Sequence, residues 1–472
     1  MMTVISMRQR RLASVILLPV LLASCALIRD LETTDLDPVE TLPLATHTAG
    51  VDSETPEEVP LQTAAPTATV RLEPFTFSLD GPVRDVAYEI PLTLQFVDET
   101  SASFFFKLDR PHEGVLFVWD VRGLVGQMEF AAQGTRQQFD LFGLAPGVEY
   151  SAIVGLRDES GLYFPPAFAH GEWAAIDFET LEPMWEPIRV GVIGDSGFGE
   201  QVTYDLLSEM AAFDLDFVVH TGDVVYRVYE DPDPTTAFTL KYFLPFAPVL
   251  HRMPVYAVPG NHEFEVATLL EDVPYYFHVF PPILDETRGL RGSDGLREYF
   301  RFSVGDYQFI LLNSQAFYGS GERDAQTGWL EEQLKDQSVR HSIIVTHIPP
   351  FTSGKYEKDG GPLRSRWVPL FEASNVRLVL SGHDHNYQRL EVNGITYVVS
   401  GGGSTSLYPL SLAHPNAKVF ERRSHFVLLE LYRDRIELIS IARGGEVLDR
   451  TTILLPVEQA SIHKDASPVT LR

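Results

Sequence analysis

Residues 189–226 read RVGVIGDSGFGEQVTYDLLSEMAAFDLDFVVHTGDVVY. An apolar, β-branched run from Arg189 to Ile193 leads through Gly194-Asp195-Ser196-Gly197 into a helical stretch, Glu200 to Ala212. A second apolar run, Phe217 to His220, ends in Gly222-Asp223-Val224-Val225-Tyr226. Strand, helix and strand in close succession predict an α/β domain. In such sheets the side chains that do chemistry gather at strand ends, where loops from several strands converge on one crevice.

The same arrangement recurs downstream. Gly260-Asn261-His262-Glu263 follows Val255 to Val258, His347 follows Ile343 to Val345, and Gly382-His383-Asp384-His385 follows Val376 to Leu380. Gln326 to Gln337, with Trp329, Leu330 and Leu334 at helical spacing, predicts a connecting helix before the strand at Ser342 to Val345. Further strands are expected at Ile395 to Ser400 and His425 to Leu431. Any one of these polar motifs alone reads as an ordinary turn. Five strand ends that each deliver oxygen or imidazole donors, in order, point to one site.

Over roughly Arg189 to Arg389 these motifs closely resemble the calcineurin-like metallophosphoesterases, and within them the purple acid phosphatases. The general pattern opens Asp-x-His, and Gly197 stands where that His belongs. The purple acid branch instead carries a tyrosine in Gly-Asp-x-x-Tyr, and Tyr226 stands at that place. The resemblance implies an α/β metallophosphoesterase sandwich of mixed sheets flanked by helices. It implies two metal ions, with Asp195, Tyr226 and His385 on the first, Asp223 bridging, and Asn261, His347 and His383 on the second. A phenolate is a hard anionic donor, so Fe(III) is expected at one position, with divalent Fe, Zn or Mn beside it. Cations about 3.5–4 Å apart need a shared anionic ligand, which is the place given to Asp223.

The implied reaction is direct hydrolysis of phosphate monoesters by metal-bound hydroxide, with no covalent enzyme intermediate. His262 matches a family histidine that contacts substrate phosphate and protonates the leaving group. A phosphodiesterase or nucleotide hydrolase on the same scaffold is the alternative, decided by loops such as Arg227 to Phe246 and His278 to Arg297. A non-catalytic surface binding protein would need a broken ligand, and all seven positions hold competent residue types. One departure stands out. The family histidine about ten residues beyond His347 is missing, and the stretch reads Phe351-Thr352-Ser353-Gly354-Lys355-Tyr356-Glu357. Lys355 and Tyr356 are either substitutes for it or solvated loop residues. Arg389 reads as structural, and His220, His251, His278 and His341 as packing or surface residues. Phe198, Gly199 and Gly401 to Gly403 read as turns and close backbone approaches around the crevice.

With 472 residues, 44% of them hydrophobic, the chain has room for two folded domains and extensions. Residues 186–456 are assigned to the catalytic domain and 457–472 to a tail. Short β-rich runs separated by Gly, Pro and Asp across 70–183 predict an all-β, immunoglobulin-like sandwich. There Leu144-Ala145-Pro146-Gly147-Val148-Glu149-Tyr150 resembles the tyrosine corner of a fibronectin type III module. Residues 26–69, acidic and rich in Thr and Pro, are expected to form a disordered tether.

Residues 1–25 carry Arg8, Arg10 and Arg11, an apolar run from Leu12 to Leu22, and then Leu22-Ala23-Ser24-Cys25. This resembles a bacterial lipoprotein signal, which implies lipidation of Cys25 and an exported, lipid-anchored protein of the cell envelope, periplasmic or at the surface. Cys25 is the single cysteine, which excludes disulfides and Cys-based zinc sites. The net charge of -28 leaves no general attraction for nucleic acid or an anionic bilayer, so membrane contact is expected only through the lipid. The expected partner is a small phosphate ester, and the oligomeric state is open.

Overall fold

The computed structural model describes residues 86–159, 161–164, 175–182, 187–270, 273–281, 298–319, 323–336 and 338–456. The expected signal, Cys25, the tether, the boundary at 183–186, most of the loop from His278 to Arg297 and the C-terminal tail lie outside these residues.

Eight strands come first: β1 (Tyr88–Val97), β2 (Ser101–Leu108), β3 (Gly114–Asp120), β4 (Gly123–Phe130), β5 (Arg136–Phe142), β6 (Glu149–Asp158), β7 (Gly161–Tyr163) and β8 (Ala175–Glu179). They pair as a three-stranded sheet, β1-β2-β5, and a five-stranded sheet in which β4-β3-β6-β7 is joined by β8 on β6. At the turn before β6, the Tyr150 hydroxyl accepts the Ala145 N–H at 2.8 Å, the bond-back contact that the corner motif calls for.

The α/β part follows with β9 (Ile188–Ile193), β10 (Phe217–His220), β11 (Val255–Ala257), the short pair β12 (Leu269–Leu270) and β13 (Val273–Pro274), β14 (Phe300–Val304), β15 (Tyr307–Leu312), β16 (His341–Thr346), β17 (Val376–Ser381), β18 (Tyr387–Val392), β19 (Ile395–Ser400), β20 (Ala417–Glu421), β21 (His425–Leu431), β22 (Arg435–Ala442) and β23 (Val447–Leu454). Two mixed sheets result, β11-β10-β9-β21-β22-β23 and β14-β15-β16-β17-β19-β18-β20. The helix expected at 200–212 spans Gln201–Met210. The one expected at 326–337 is shifted toward the N terminus, to Arg323–Gln333.

The strands read as unbroken apolar runs because both faces of each sheet are covered. Successive side chains point to opposite faces. Phe309, Leu311, Ile343, Val345, Leu378 and Leu380 meet Val190, Val192, Phe217 and Val219 in the layer between the sheets. Their neighbours Ile310, Leu312, Ile344 and Val379 join Trp367 and Phe371 under the outer helices. Burying one such aliphatic side chain contributes about 1.5–3 kcal/mol, so a one-residue slip of a strand is strongly disfavoured.

The described residues all fall within one compact unit. Leu92, Phe104 and Phe178 of the first eight strands share an apolar cluster with Leu206, Phe246 and Val249, which cover the outer face of the six-stranded sheet. The Asp177 N–H also donates to the His251 carbonyl at 2.8 Å.

Candidate metal centre

Parallel pairing brings the strand ends level. In one sheet His220 is in register with both Ile193 and Ala257, and in the other β15, β16, β17 and β19 run parallel. The loops that follow therefore open at the same edge. All seven residues expected as metal ligands come together there. Asp195, Asp223 and His385 offer donor atoms within 4.8 Å of one another, and so do Asp223, His347 and His383. Asp223 belongs to both groups. Tyr226 Oη lies 2.7 Å from Asp223 Oδ2 and 3.0 Å from both Asp195 Oδ1 and His385 Nε2. Asn261 Oδ1 lies 3.2 Å from His347 Nε2.

The backbone is bent to achieve this. Asp195, Asp223 and His383 have φ of 56°, 55° and 67°, in the left-handed region that residues with a Cβ enter only at a cost. Such strain concentrates where a surrounding constellation imposes it. Gly222, with φ of 98°, precedes Asp223, and a Cβ there would meet His347 Nδ1 at 2.6 Å. A Cβ on Gly382 would collide with the Asp195 carboxylate.

The donor set fits cations on the atoms present. The His347 Nδ1–H donates to the Thr221 carbonyl at 2.9 Å, which leaves Nε2 facing two oxygens, Asn261 Oδ1 and Asp223 Oδ2 at 3.3 Å. The His385 Nδ1–H donates to the Ser406 carbonyl at 2.5 Å, which leaves Nε2 facing Asp195 Oδ1 at 3.3 Å. The single phenolic proton of Tyr226 faces two carboxylates. Acceptors confronting acceptors require a proton or a metal ion between them.

Without metal, protons take that place. Burial lowers the His347 pKa, but Asp223 outweighs it and pushes it up to about 9. Burial likewise opposes the charged form of Asp223, and the imidazole of His347, with His262 and the Tyr226 hydroxyl, still holds it well below the usual carboxylate range. Burial and the charges of Asp195 and Asp223 keep Tyr226 protonated far above its ordinary pKa. A bound cation reverses that logic by displacing the proton.

His262 stands beside the cluster, partly exposed, with its ring centroid 4.3 Å from that of Tyr226 and Nε2 3.9 Å from Asp223 Oδ2. Its Nδ1 lies 2.6 Å from Glu265 Oε1, an ion-pair separation without hydrogen-bond alignment. Arg389 pairs with Asp449 at 2.7 Å and is structural. His220 is fully buried: its Nδ1 accepts the Gly222 N–H at 3.2 Å, and Nε2 lies 2.8 Å from Ser196 Oγ.

Several supporting residues escaped the sequence reading. The buried carboxylate of Glu263 accepts N–H groups from Asp223, Val224, Val225 and Gly260 at 2.6–3.2 Å. Burial and the Asp223 charge push its pKa up, while the four donors favour the ionised form. Asp359 Oδ2 lies 3.0 Å from His383 Nε2 and so backs one of the clustered histidines. Phe198 is more than a turn residue, since it stacks on Tyr226 with centroids 4.1 Å apart and planes 9° apart.

The calcineurin-like phosphoesterase family profile matches residues 188–387. The chain is 25% identical over 273 residues to probable purple acid phosphatase 20 of Arabidopsis thaliana, covering 56% of this chain and 61% of that protein. It is 31% identical over 195 residues to the serine/threonine-protein phosphatase CPPED1 of Pongo abelii, covering 37% and 57% respectively. The chain thus spans less than two thirds of these relatives' length. In structure it is similar to purple acid phosphatase PPD1 from yellow lupin seeds, with a TM-score of 0.61 at 16% identity, covering 77% of this chain and 74% of that one. The strand-end geometry, the two donor groups sharing Asp223 and the matched profile identify residues 188–387 as a calcineurin-like phosphoesterase domain with a dinuclear metal centre.

Proposed function

We propose that the protein is a phosphatase that hydrolyses phosphate monoesters in the manner of the purple acid phosphatases. The observation that carries this reading is the place of Tyr226, whose hydroxyl lies within 3.0 Å of Asp195, Asp223 and His385 together. In the proposed assignment Asp195, Tyr226 and His385 hold the first metal, Asp223 bridges, and Asn261, His347 and His383 hold the second. The phenolic donor favours Fe(III) at the first position. When bound, the pair supplies an acidified water and neutralises the phosphoryl oxygens.

The chain's own residues complete the chemistry. Thr221 and Ser406 fix which nitrogen His347 and His385 present. His262, next to Asn261 and open to solvent on one side, donates a proton to the leaving oxygen. With 65 acidic residues against 37 Lys and Arg, the anionic substrate must be drawn by local positive charge, which bound metal ions would supply. Export and lipid anchoring at Cys25 belong to the same proposal, and mass spectrometry of the mature N terminus tests them, since an unmodified Cys25 refutes the anchor.

Hydrolysis by metal-loaded protein lacking residues 1–25 tests the activity, with an aryl phosphate monoester and its diester compared from acid to alkaline pH. Faster monoester turnover with an acid optimum is expected. Preference for the diester at neutral or alkaline pH would replace this reading with that of a phosphodiesterase. No hydrolysis of either ester would leave a binding protein.

A further inference from the structure

At the mouth of the centre stands the cation Lys355. The two histidines of Gly382-His383-Asp384-His385 are each covered by a tyrosine. Tyr356 lies against His383 with centroids 4.3 Å apart, and Tyr408 stacks on His385 at 4.2 Å with planes 14° apart. Lys355 joins the two tyrosines. Its Nζ donates to the Tyr356 hydroxyl at 2.8 Å and sits 4.6 Å and 4.8 Å from the ring centroids of Tyr356 and Tyr408. Attraction to two ring faces holds an exposed ammonium in place without neutralising it.

The loop that carries this group is fixed to the ligand loop. Asp384, buried between the two histidines, accepts from Thr352 Oγ1 at 2.6 Å, Lys355 N at 2.8 Å and Tyr356 N at 3.3 Å. Gly354 packs so close to that carboxylate that a Cβ would collide with it. The rings of Tyr356 and Tyr408 meet edge to face with centroids 5.7 Å apart, so the two tyrosines form one aromatic wall over the histidines.

The cation is also unpaired. Arg227, Lys241 and Arg364 pair with Glu230, Asp231 and Glu357 respectively. Among the described residues no carboxylate forms an ion pair with Lys355, in a chain that has 65 acidic residues against 37 Lys and Arg. An unneutralised ammonium beside two hydroxyl donors, set over both ligand histidines, is a ready site for phosphoryl oxygens.

We propose that Lys355, with the hydroxyls of Tyr356 and Tyr408, binds the non-bridging oxygens of the substrate and selects the doubly charged phosphate of a monoester over the singly charged phosphate of a diester. This rests on the phosphatase reading above. The test compares wild type with Lys355→Met and Lys355→Arg, measuring metal content, inhibition by inorganic phosphate, and kcat and KM for an aryl monoester and its diester. With both metals retained, Lys355→Met is expected to raise the phosphate inhibition constant and the monoester KM about tenfold, as loss of one charged hydrogen bond does. The diester KM should move less, and Lys355→Arg should keep most of the binding. An inhibition constant unchanged in Lys355→Met, or equal losses for monoester and diester, overturns the proposal. A wild-type protein that neither hydrolyses the esters nor binds phosphate overturns the phosphatase reading itself, and that outcome is visible without any variant.

Discussion

Glu263 Oε2 accepts the backbone N–H of Asp223 at 3.0 Å, and the same carboxylate holds Gly260, so one buried side chain ties together two loops that each deliver a metal donor. Glu263→Gln turns one acceptor oxygen into a donor that faces N–H groups. An unsatisfied buried group costs about 1–3 kcal/mol, and at least two are created. Thermal unfolding and metal analysis should show a lower melting temperature and reduced metal content. Unchanged values for both would show that the four hydrogen bonds do not organise the centre.

Tyr226→Phe removes the one oxygen that lies among Asp195, Asp223 and His385. Activity should fall by more than the ~10–100-fold typical of losing an outer partner of a metal ligand. In iron-loaded protein the visible absorption of a ferric phenolate should disappear. A band that survives in Tyr226→Phe would assign the colour, and the ligand, elsewhere.

Asp359→Asn probes the carboxylate on the far side of His383. The amide can offer the ring an oxygen but no charge, so orientation weakens while the fold stays. Competitive chelator titration should show one of two metal ions bound about 10–100-fold more weakly and the other unchanged. Equal affinity for both ions in wild type and variant would refute the role.

Metal removal should make the protein sensitive to pH in a definite direction. The His347 pKa is raised to about 9, so the stability it contributes is complete below its unfolded value near ~6.5 and is lost as pH rises through 9. Asp223 is depressed, so its contribution is present above ~4 and is lost on acidification. A metal ion must displace the His347 proton, so affinity should rise up to about tenfold per pH unit toward 9. Calorimetric zinc titration at about pH 6 and about pH 8 measures this, and a pH-independent affinity would sink it.

His262→Ala should lower turnover by about 10²–10⁴ on an ester with a poor leaving group, and far less where the leaving group needs no proton. Equal losses on both substrates would make His262 a binding residue rather than the acid.

The seven residues that cluster at the strand ends were legible in the sequence because each motif is local. Asp195, Asp223, Asn261, His347, His383 and His385 follow apolar runs directly, and Tyr226 is fixed by its distance from Asp223. The strands were legible for the same reason, since burial on both faces leaves uninterrupted apolar runs. What the tertiary structure alone decided is how those donors are held. Glu263 reaches N–H groups 38–40 residues away, Asp359 meets His383 across 24, and Tyr408 finds His385 across a loop. The union of the first eight strands with the α/β part through a single apolar cluster was equally invisible. Such partners carry no spacing signal, because what selects them is proximity after the strands have aligned rather than any period along the chain.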